Sequence, residues 1–352
     1  MYSEMNTPDT LPPEVLDSYL ARGWYRMGQS VFTSRFVTFY GVLYPTVWVR
    51  IPLESFSFRK SLRRRMRRNA NRFTVTVGAP ADVNAEKEAL YERYRDDFDG
   101  DLSPSLETAL FDGDGRSIFD TRQIEIRDGD RLVAFSFFDQ GVDSIASIIG
   151  VYDPDEKKHS LGLHSMLLEV EHAQRQGLRF FYPGYVVPGY SAFDYKLRLG
   201  TEHLEFYDTD HSDWVPYHEL RAEQLATHRL QGGLARIQAL LHDRNIRAEM
   251  RIYPMYRYAS VDDRLVKQPL FVECRSPQPG MSCWVITYDY EADIYNLDIC
   301  IRVADLQGHF ADGIPQERRS MTCLHLLQQV FRLAEAGSAE QVVETLVQVG
   351  VG

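Results

Sequence analysis

The sequence contains no long apolar run and no recognisable targeting segment. No stretch approaches the roughly 20 consecutive apolar residues that a membrane-spanning helix requires. The first thirteen residues are polar and acidic, whereas a secretory signal begins with a basic segment followed by an apolar one. These absences argue against a membrane partner, and we expect a cytoplasmic protein.

Cysteine is also scarce, and its spacing excludes the common metal sites. The four cysteines lie in the last quarter of the chain, at Cys274, Cys283, Cys300 and Cys323. None belongs to a C-x-x-C pair, and scattered cysteines of this kind are usually buried as small apolar residues. We therefore predict that the protein holds no metal.

The charge is acidic overall but strongly basic in one segment. The net charge is -11, which argues against a generic nucleic-acid binder. Residues 59–72, however, contain eight basic residues and no acid, which leaves -19 for the rest of the chain. A narrow apolar stripe (Phe58, Leu62, Met66, Ala70) predicts a helix here. Its arginines could bind an RNA backbone, or they could simply form a solvated face.

The central part of the chain predicts a mixed α/β fold. Composition is that of a globular protein, and 352 residues are enough for two or three packed units. Patterning predicts a three-strand meander, a helix and a further strand, at Gln123–Ile126, Arg131–Phe138, Ser144–Tyr152, Leu161–Gln176 and Arg179–Tyr185.

The last part of the sequence predicts a separate α+β unit. From Trp214 we expect a helix that is interrupted at Gly232-Gly233, followed by several strands. We expect the unit to close with helices near Arg319–Ala334 and Ala339–Val347.

Residues 151–199 contain an ordered series of short motifs. In order these are Tyr152-Asp153-Pro154, Ser160-Leu161-Gly162, Tyr182-Pro183-Gly184-Tyr185 and Asp194-Tyr195-Lys196. Ser160 stands at a strand-to-helix junction, where unpaired N–H groups can hold a phosphate or a carbonyl oxygen. A simple serine N-cap is the alternative. The tyrosines could stack on a nucleic-acid base or could be ordinary core residues.

This series resembles the C-terminal catalytic half of the aminoacyl-tRNA protein transferases, the arginyl and leucyl transferases that modify protein N-termini. The family motifs Y-D-P, S-L-G, L-G-Y-Y and C-x-x-M-x-Y-K follow the same order. Upstream, residues 23–28, Arg50-Ile51-Pro52 and residues 64–69 match the family's G-W-R-R-F-G, R-I-P and basic run ending in R-N. The resemblance covers residues 11–210 and leaves the remainder without a counterpart.

The resemblance implies a GNAT-like acyltransferase core of the α/β (α+β) class. It suggests an N-terminal recognition domain at 1–78, an aminoacyl-transfer domain at 79–213 and a C-terminal α+β module at 214–352. The implied reaction transfers arginine or leucine from aminoacyl-tRNA to the N-terminal α-amine of a protein or peptide, with an acidic N-terminus favoured. Aminoacyl-tRNA is then the co-substrate, and no cofactor is expected.

The resemblance and the local chemistry together nominate three groups of site residues. The catalytic candidates are Tyr195, Asp194 and Asp139. The substrate-binding candidates are Tyr25, Arg26, Tyr185, Tyr190, Lys196 and Arg198. The tRNA-binding candidates are Arg63, Arg64, Arg67, Arg68, Lys157, Lys158, Ser160 and Gly162.

Several departures from the family pattern keep two other functions open. Ala146 and Ile149 replace a usual serine and tyrosine, Tyr190 replaces a cysteine, and the family's N-terminal cysteine cluster is missing. These changes suit a catalytically inactive paralogue that binds tRNA or a protein. A GNAT-type N-acyltransferase using acyl-CoA is the other alternative, although the multi-glycine loop typical of such enzymes is missing.

Overall fold

A computed structural model describes residues 2–98, 100, 102–113, 117–260, 262–274, 282–311 and 313–349. The strands are β1 Ser3–Asn6, β2 Tyr25–Met27, β3 Ser30–Ser34, β4 Phe36–Phe39, β5 Val42–Pro45, β6 Val47–Pro52, β7 Thr74–Pro80, β8 Thr121–Asp128, β9 Arg131–Gln140, β10 Ser144–Tyr152, β11 Phe180–Val186, β12 Glu205–Asp208, β13 Asp213–Pro216, β14 Ala248–Ile252, β15 Leu270–Cys274, β16 Ser282–Asp289, β17 Ile294–Asp305 and β18 His325–Ala336. The α-helices are α1 Pro13–Leu20, α2 Lys60–Ala70, α3 Ala85–Asp97, α4 Leu106–Phe111, α5 Leu161–Arg175, α6 Ala226–Asp243, α7 Gln307–Phe310, α8 Gln316–Arg319 and α9 Ala339–Gln348.

The chain divides into two compact units, each assembled from separate segments. The first unit, which we call the sheet unit, comprises Met5–Thr33 and Val47–Leu220. The second, the C-terminal unit, comprises Met1–Glu4, Ser34–Thr46 and Arg221–Gly352. The three-domain division suggested by the sequence stays a prediction.

The sheet unit is built on one eight-stranded sheet. Its strand order is β13-β12-β6-β11-β10-β9-β8-β7. The meander β8-β9-β10 is antiparallel, as the alternating sequence predicts, whereas β11 lies parallel to β10. Helix α5 connects these two parallel strands, because a parallel pair requires a crossover. The predicted mixed α/β class is confirmed, and the GNAT-like core stays a prediction.

The parallel pair β10–β11 is short and then diverges. Its registered partners run only from Ser144 opposite Phe180 to Ala146 opposite Tyr182. Beyond this point β10 carries a bulge between Ser147 and Ile149, where its register with β9 shifts. The divergence leaves a gap between two central strands of the sheet, and the candidate site lies at this gap.

Helix α2 carries the basic segment, and its inward face differs from the predicted stripe. Leu62 is 3% exposed and packs inward as expected. Ala70 is exposed, while Asn69 one residue earlier is fully buried and donates to the carbonyl of His159 at 3.1 Å. Four arginines between these positions are exposed, namely Arg63, Arg64, Arg67 and Arg68, whereas Arg65 is half-buried and its Nε is buried.

The C-terminal unit contains a five-stranded antiparallel sheet in the order β14-β15-β16-β17-β18. Helices α6 and α9 pack together and against the sheet. The predicted interruption at Gly232-Gly233 is wrong, because α6 runs through both glycines. The predicted helix near Arg319–Ala334 is also wrong, since His325–Ala336 is a strand paired along β17. Helix α9 is found where it was predicted.

Within the described residues, no helix is long and apolar enough to cross a membrane.

Candidate active site

Two of the predicted site residues, Arg26 and Asp139, form a buried ion pair. The guanidinium Nη1 of Arg26 donates to Asp139 Oδ1 at 2.8 Å, and the two side chains are 1% and 0% exposed. Thr121 Oγ1 donates to the same oxygen at 2.7 Å. Arg26 also donates to the carbonyls of Gly28 and Leu110. The pair therefore ties β2 to the sheet, and neither side chain faces solvent.

The second carboxylate oxygen of Asp139 differs from the first in its hydrogen bonding. Oδ2 is buried and has no hydrogen-bond partner among the described residues. Burial raises the pKa of this carboxyl, while the neighbouring Arg26 opposes the shift. Because a buried carboxylate must be paired, Asp139 and Arg26 are best regarded as one unit.

Tyr25 fills the gap where β10 and β11 diverge. Its hydroxyl donates to the carbonyl of Tyr182 on β11 at 3.0 Å and also contacts the carbonyl of Ser147 on β10. Burial raises the pKa of the Tyr25 phenol, with further increases from nearby Glu169 and Asp139. Tyr25 therefore stays a neutral hydrogen-bond donor and bridges the two strands in place of a ladder bond.

Glu169, which was not predicted from the sequence, lies behind this gap on α5. The side chain is fully buried, and neither carboxyl oxygen has a well-formed hydrogen bond. Burial raises the pKa of Glu169 to about 7, although the hydroxyls of Ser136 and Ser147 are close enough to oppose the shift. The sequence does contain a signal for this buried acid. Glu169 lies on the apolar face of an amphipathic helix, between Met166 and Ala173, where a charged residue is rare.

The Asp194-Tyr195-Lys196 motif lies in the 3-10 helix Ser191–Leu199. Asp194 is exposed. Tyr195 is 39% exposed, yet its hydroxyl end is buried, and burial followed by the charge of Glu169 raises its pKa to about 12. Like Tyr25, Tyr195 is thus a neutral donor at the edge of the gap.

Lys196 is the most unusual residue of this motif. It is 8% exposed, and its Nζ donates to the carbonyl of Tyr185 at 2.8 Å. The ammonium lies 5.3 Å from the ring centre of Tyr185 and 5.1 Å from that of Phe193. No acidic side chain among the described residues pairs with it, and burial lowers its pKa to about 7.

Gly184 allows this close approach. Its φ is +91°, and a Cβ atom there would stand 3.3 Å from Lys196 Nζ and 3.5 Å from Cζ of Tyr25. A side chain would therefore press on both residues and strain the backbone.

The predicted Tyr185 and Tyr190 lie beside Lys196 in an aromatic group. Tyr185 stacks on Phe193 at 5.2 Å and meets Trp48 edge-on at 5.0 Å. Tyr190 is 6.1 Å from Phe193. Burial raises the pKa of Tyr185 to about 12. The structure thus brings four of the predicted residues together, namely Tyr185, Tyr190, Tyr195 and Lys196.

The start of α5 does not carry the serine cap considered from the sequence. Ser160 occupies the N-cap position with a left-handed backbone (φ 50°), and its side chain makes no capping hydrogen bond. Gly162 follows in the first turn, where a Cβ would lie 3.3 Å from the ring of Tyr152. The first N–H groups of this helix are consequently not capped by Ser160.

The predicted tRNA-binding residues share a surface around α2. Arg68 donates to the carbonyl of Lys158 at 3.4 Å, which joins α2 to the segment before α5. Arg59 donates to the carbonyl of Arg198 at 3.0 Å, which joins α2 to the 3-10 helix of Lys196. We call the resulting set the basic surface; it consists of Arg63, Arg64, Arg67, Arg68, Lys157 and Lys158. Arg198, which was predicted to bind the substrate, is exposed beside this surface.

The side chains of this basic surface differ in how many hydrogen bonds and ion pairs they make. Arg64 and Arg67 make no hydrogen bond or ion pair with the described residues, whereas Lys157 pairs with Asp97 at 2.7 Å. Arg63 donates only to the carbonyl of Phe58, at 2.6 Å. Several guanidinium groups thus remain available to an external anion.

Among the described residues, no group of three or more His, Cys, Asp or Glu side chains is arranged to hold a metal ion. Three of the four cysteines are buried, and all four carry free thiols. The absence of a metal stays a prediction that requires measurement.

The sequence is similar to that of a known protein family. The family model described as "Arginine-tRNA-protein transferase, C terminus" matches residues 86–205. An aspartate/glutamate leucyltransferase of Hahella chejuensis is 32% identical over 154 residues, which cover 42% of this chain and 63% of that protein. The protein of the same name from Shewanella sp. strain MR-4 is 30% identical over 194 residues, covering 53% and 77%. The chain thus spans slightly less than two thirds of the Hahella relative.

Solved structures show weaker similarity. A GCN5-related N-acetyltransferase from Anabaena variabilis is 11% identical with a TM-score of 0.31, covering 78% of this chain and 56% of its own. FemX is 13% identical with a TM-score of 0.31, covering 54% and 64%.

Proposed function

Because the chain belongs to the aminoacyl-tRNA protein transferase family, we propose that it transfers leucine or arginine from aminoacyl-tRNA to the N-terminal α-amine of a protein or peptide. The acceptor begins with aspartate or glutamate. No cofactor takes part, and the protein acts in the cytoplasm. The observation that carries the acceptor assignment is Lys196, a buried cation without an anionic partner.

An acidic acceptor side chain would supply the missing anion. Lys196 is held by one backbone carbonyl and two aromatic faces, and burial lowers its pKa to about 7. A bound carboxylate would favour the ammonium form and raise that pKa again, so binding of Asp or Glu and protonation of Lys196 are coupled. The names of the leucyltransferase relatives agree with such an acceptor.

The basic surface is assigned to the tRNA. Its arginines follow one helix that is joined both to Lys158 and to the segment carrying Lys196. Since each neutralised phosphate releases counterions, a cluster of unpaired arginines in an otherwise acidic chain favours binding of a phosphate backbone. The donor ester would then reach the gap between β10 and β11 from this side.

The chemistry requires positioning more than strong acid–base catalysis. The neutral α-amine attacks the ester carbonyl, a C–N bond forms, the C–O ester bond breaks, and the leaving tRNA oxygen takes a proton. An α-amine has a pKa of about 7.7 to 8.0, so a sizeable fraction is already neutral near pH 7. Tyr195, whose phenol stays protonated, is assigned as a hydrogen-bond donor to the oxyanion, with Asp194 near the amine.

An inactive paralogue remains the second candidate, favoured by one local feature. Ala146 is 1% exposed and lies opposite Tyr182 at the last registered pair before the gap. It offers no hydroxyl where the family usually has one. Such a protein would bind charged tRNA without transferring its amino acid.

The acceptor assignment is tested with peptides that differ only at the first residue. The protein is incubated with a charged tRNA pool and peptides beginning with Asp, Glu, Lys or Arg, and products are measured by mass spectrometry. We expect addition of one amino-acid residue to the Asp and Glu peptides, and none to the same peptides after N-acetylation.

Lys196→Met tests the role of Lys196 directly. Lys267→Met, which removes a half-exposed lysine far along the sequence, is its matched control. We expect Lys196→Met to abolish the preference for acidic acceptors, while Lys267→Met retains it. An unchanged preference in Lys196→Met would contradict the assignment of Lys196.

A further inference from the structure

The C-terminal unit contains a cavity of about 280 Å³ that has no part in the proposed transfer. It is lined by residues of β14, β15 and β17, of the segment between β17 and β18, and of the start of β18. The residues that matter below are Arg251, Glu273, Arg302, Arg319, Ser320 and His325.

The lining carries more positive than negative charge. The only carboxylate among the lining residues named for this cavity, Glu273, accepts hydrogen bonds from two guanidinium groups. Arg251 Nε donates to Oε2 at 3.0 Å, and Arg302 Nη2 donates to Oε1 at 2.7 Å. Arg251 has a second acid, Glu249, at 2.7 Å. Arg302 therefore shares the one lining carboxylate and has no acid of its own among the described residues.

Two of the arginines keep unused donors. Arg302 Nε is buried and makes no hydrogen bond to the described residues. Arg319 uses Nε for the carbonyl of Ile314 at 3.0 Å and makes no ion pair with a described residue. A buried N–H without an acceptor is costly, so an anion in the cavity would relieve that cost.

We propose that this cavity binds the phosphate group of a small molecule, held by Arg302 and Arg319. Arginine forks match the oxygens of a phosphate, and the hydroxyl of Ser320 and the ring of His325 line the same cavity as further donors. Glu273 acts as a positioning residue because it fixes the fork of Arg302.

The shape of the site favours a small ligand over a nucleic-acid backbone. Ligand cavities usually measure about 300 to 1,000 Å³, and this one stands near the lower limit. It can hold a phosphate with a modest organic part. The basic surface on α2, by contrast, is a row of side chains along a helix, which suits a long polyanion.

The proposal is tested by isothermal titration of the full chain with inorganic phosphate and, separately, with adenosine monophosphate. We expect saturable binding with one site per chain. Tighter binding of the monophosphate would identify an organic phosphate as the ligand, and equal binding would identify the free ion.

Arg302→Gln and Arg319→Gln should each weaken this binding about tenfold, because a hydrogen bond to a charged group is lost. Arg244→Gln, which removes an equal charge from an exposed position outside the cavity, should change nothing. Arg319 is exposed, so that variant should fold even if Arg302→Gln does not. Absence of saturable binding, or equal weakening by Arg244→Gln, would overturn the proposal.

Discussion

Neutralising three arginines of α2 should reduce both the affinity for tRNA and its dependence on salt. The change is the triple substitution Arg64→Gln, Arg67→Gln and Arg68→Gln. The side chains of Arg64 and Arg67 make no hydrogen bond or ion pair with described residues, and that of Arg68 makes only the 3.4 Å hydrogen bond to the Lys158 carbonyl. The folded state should therefore lose no more than about 0.5 kcal/mol, as is usual for surface substitutions.

The expected magnitude follows from counterion release. Each phosphate contact contributes about 0.9 to the slope of log affinity against log salt, so three lost contacts reduce the slope by about 2.7. Between about 50 and 200 mM salt, the affinity of the wild type should fall roughly 40-fold more than that of the variant.

The assay is fluorescence anisotropy with labelled, uncharged tRNA at four salt concentrations. The matched control is Arg236→Gln, Arg244→Gln and Arg247→Gln, which removes the same charge from the C-terminal unit. If the α2 variant has the affinity and slope of the wild type, the basic surface is only a solvated helix face. If the control variant lowers the slope of log affinity against log salt by the same amount, the basic surface is likewise not a specific tRNA-binding site.

Three further outcomes concern the buried Glu169, the buried Lys196 and the expected absence of a metal. Burial raises the folded-state pKa of Glu169 from 4.5 to about 7, so this acid costs stability as pH rises through that interval. Glu169→Gln should therefore gain up to about 3 kcal/mol over wild type between pH 4 and pH 8 in urea unfolding, and a constant difference would refute this. The effect of Lys196 on stability has the opposite dependence on pH, because burial lowers its pKa in the folded state from 10.5 to about 7. The stability advantage of Lys196→Met over wild type should therefore shrink as pH rises from 7 towards 10.5. Elemental analysis of anaerobically handled protein should find no stoichiometric iron or zinc, and one metal per chain would contradict the metal prediction.

The sequence was sufficient where the local pattern and the tertiary structure agree. The meander β8-β9-β10, helix α5 and strand β11 were predicted because alternation and helical periodicity persist over long segments there. The predicted interruption at Gly232-Gly233 is wrong because glycine lowers helix propensity without necessarily ending a helix. In the structure a Cβ at Gly233 would lie 2.2 Å from the ring of Tyr288, so the glycine permits close packing of the helix on the sheet.

Strand β18 shows where tertiary context overrides local preference. The segment His325–Ala336 is rich in Leu, Gln and Ala, which favour helices. It nevertheless pairs with β17 from Asp305 opposite His325 to Tyr295 opposite Ala336. The sequence alone does not reveal that such a long partner strand is available.

At the candidate site, the motifs nominated residues whose roles stay predictions, and they did not indicate the partners of those residues. Tyr195 and Lys196 were found by the ordered series, whereas the pairing of Arg26 with Asp139 joins residues that are 113 positions apart. The bridge from Tyr25 to Tyr182 spans 157 positions. Such contacts follow from the strand order of the sheet, which no local pattern specifies.

The identity of the acyl donor tests the central claim most directly. The full chain is incubated with an Asp-initiated peptide and either charged tRNA, the same tRNA after deacylation, or acetyl-CoA, and the product mass is measured. Our account predicts a product heavier by one leucine or arginine residue with charged tRNA, and no product with the other two. Acetylation by acetyl-CoA without any transfer from charged tRNA would contradict the account, and binding of charged tRNA without transfer would favour an inactive paralogue.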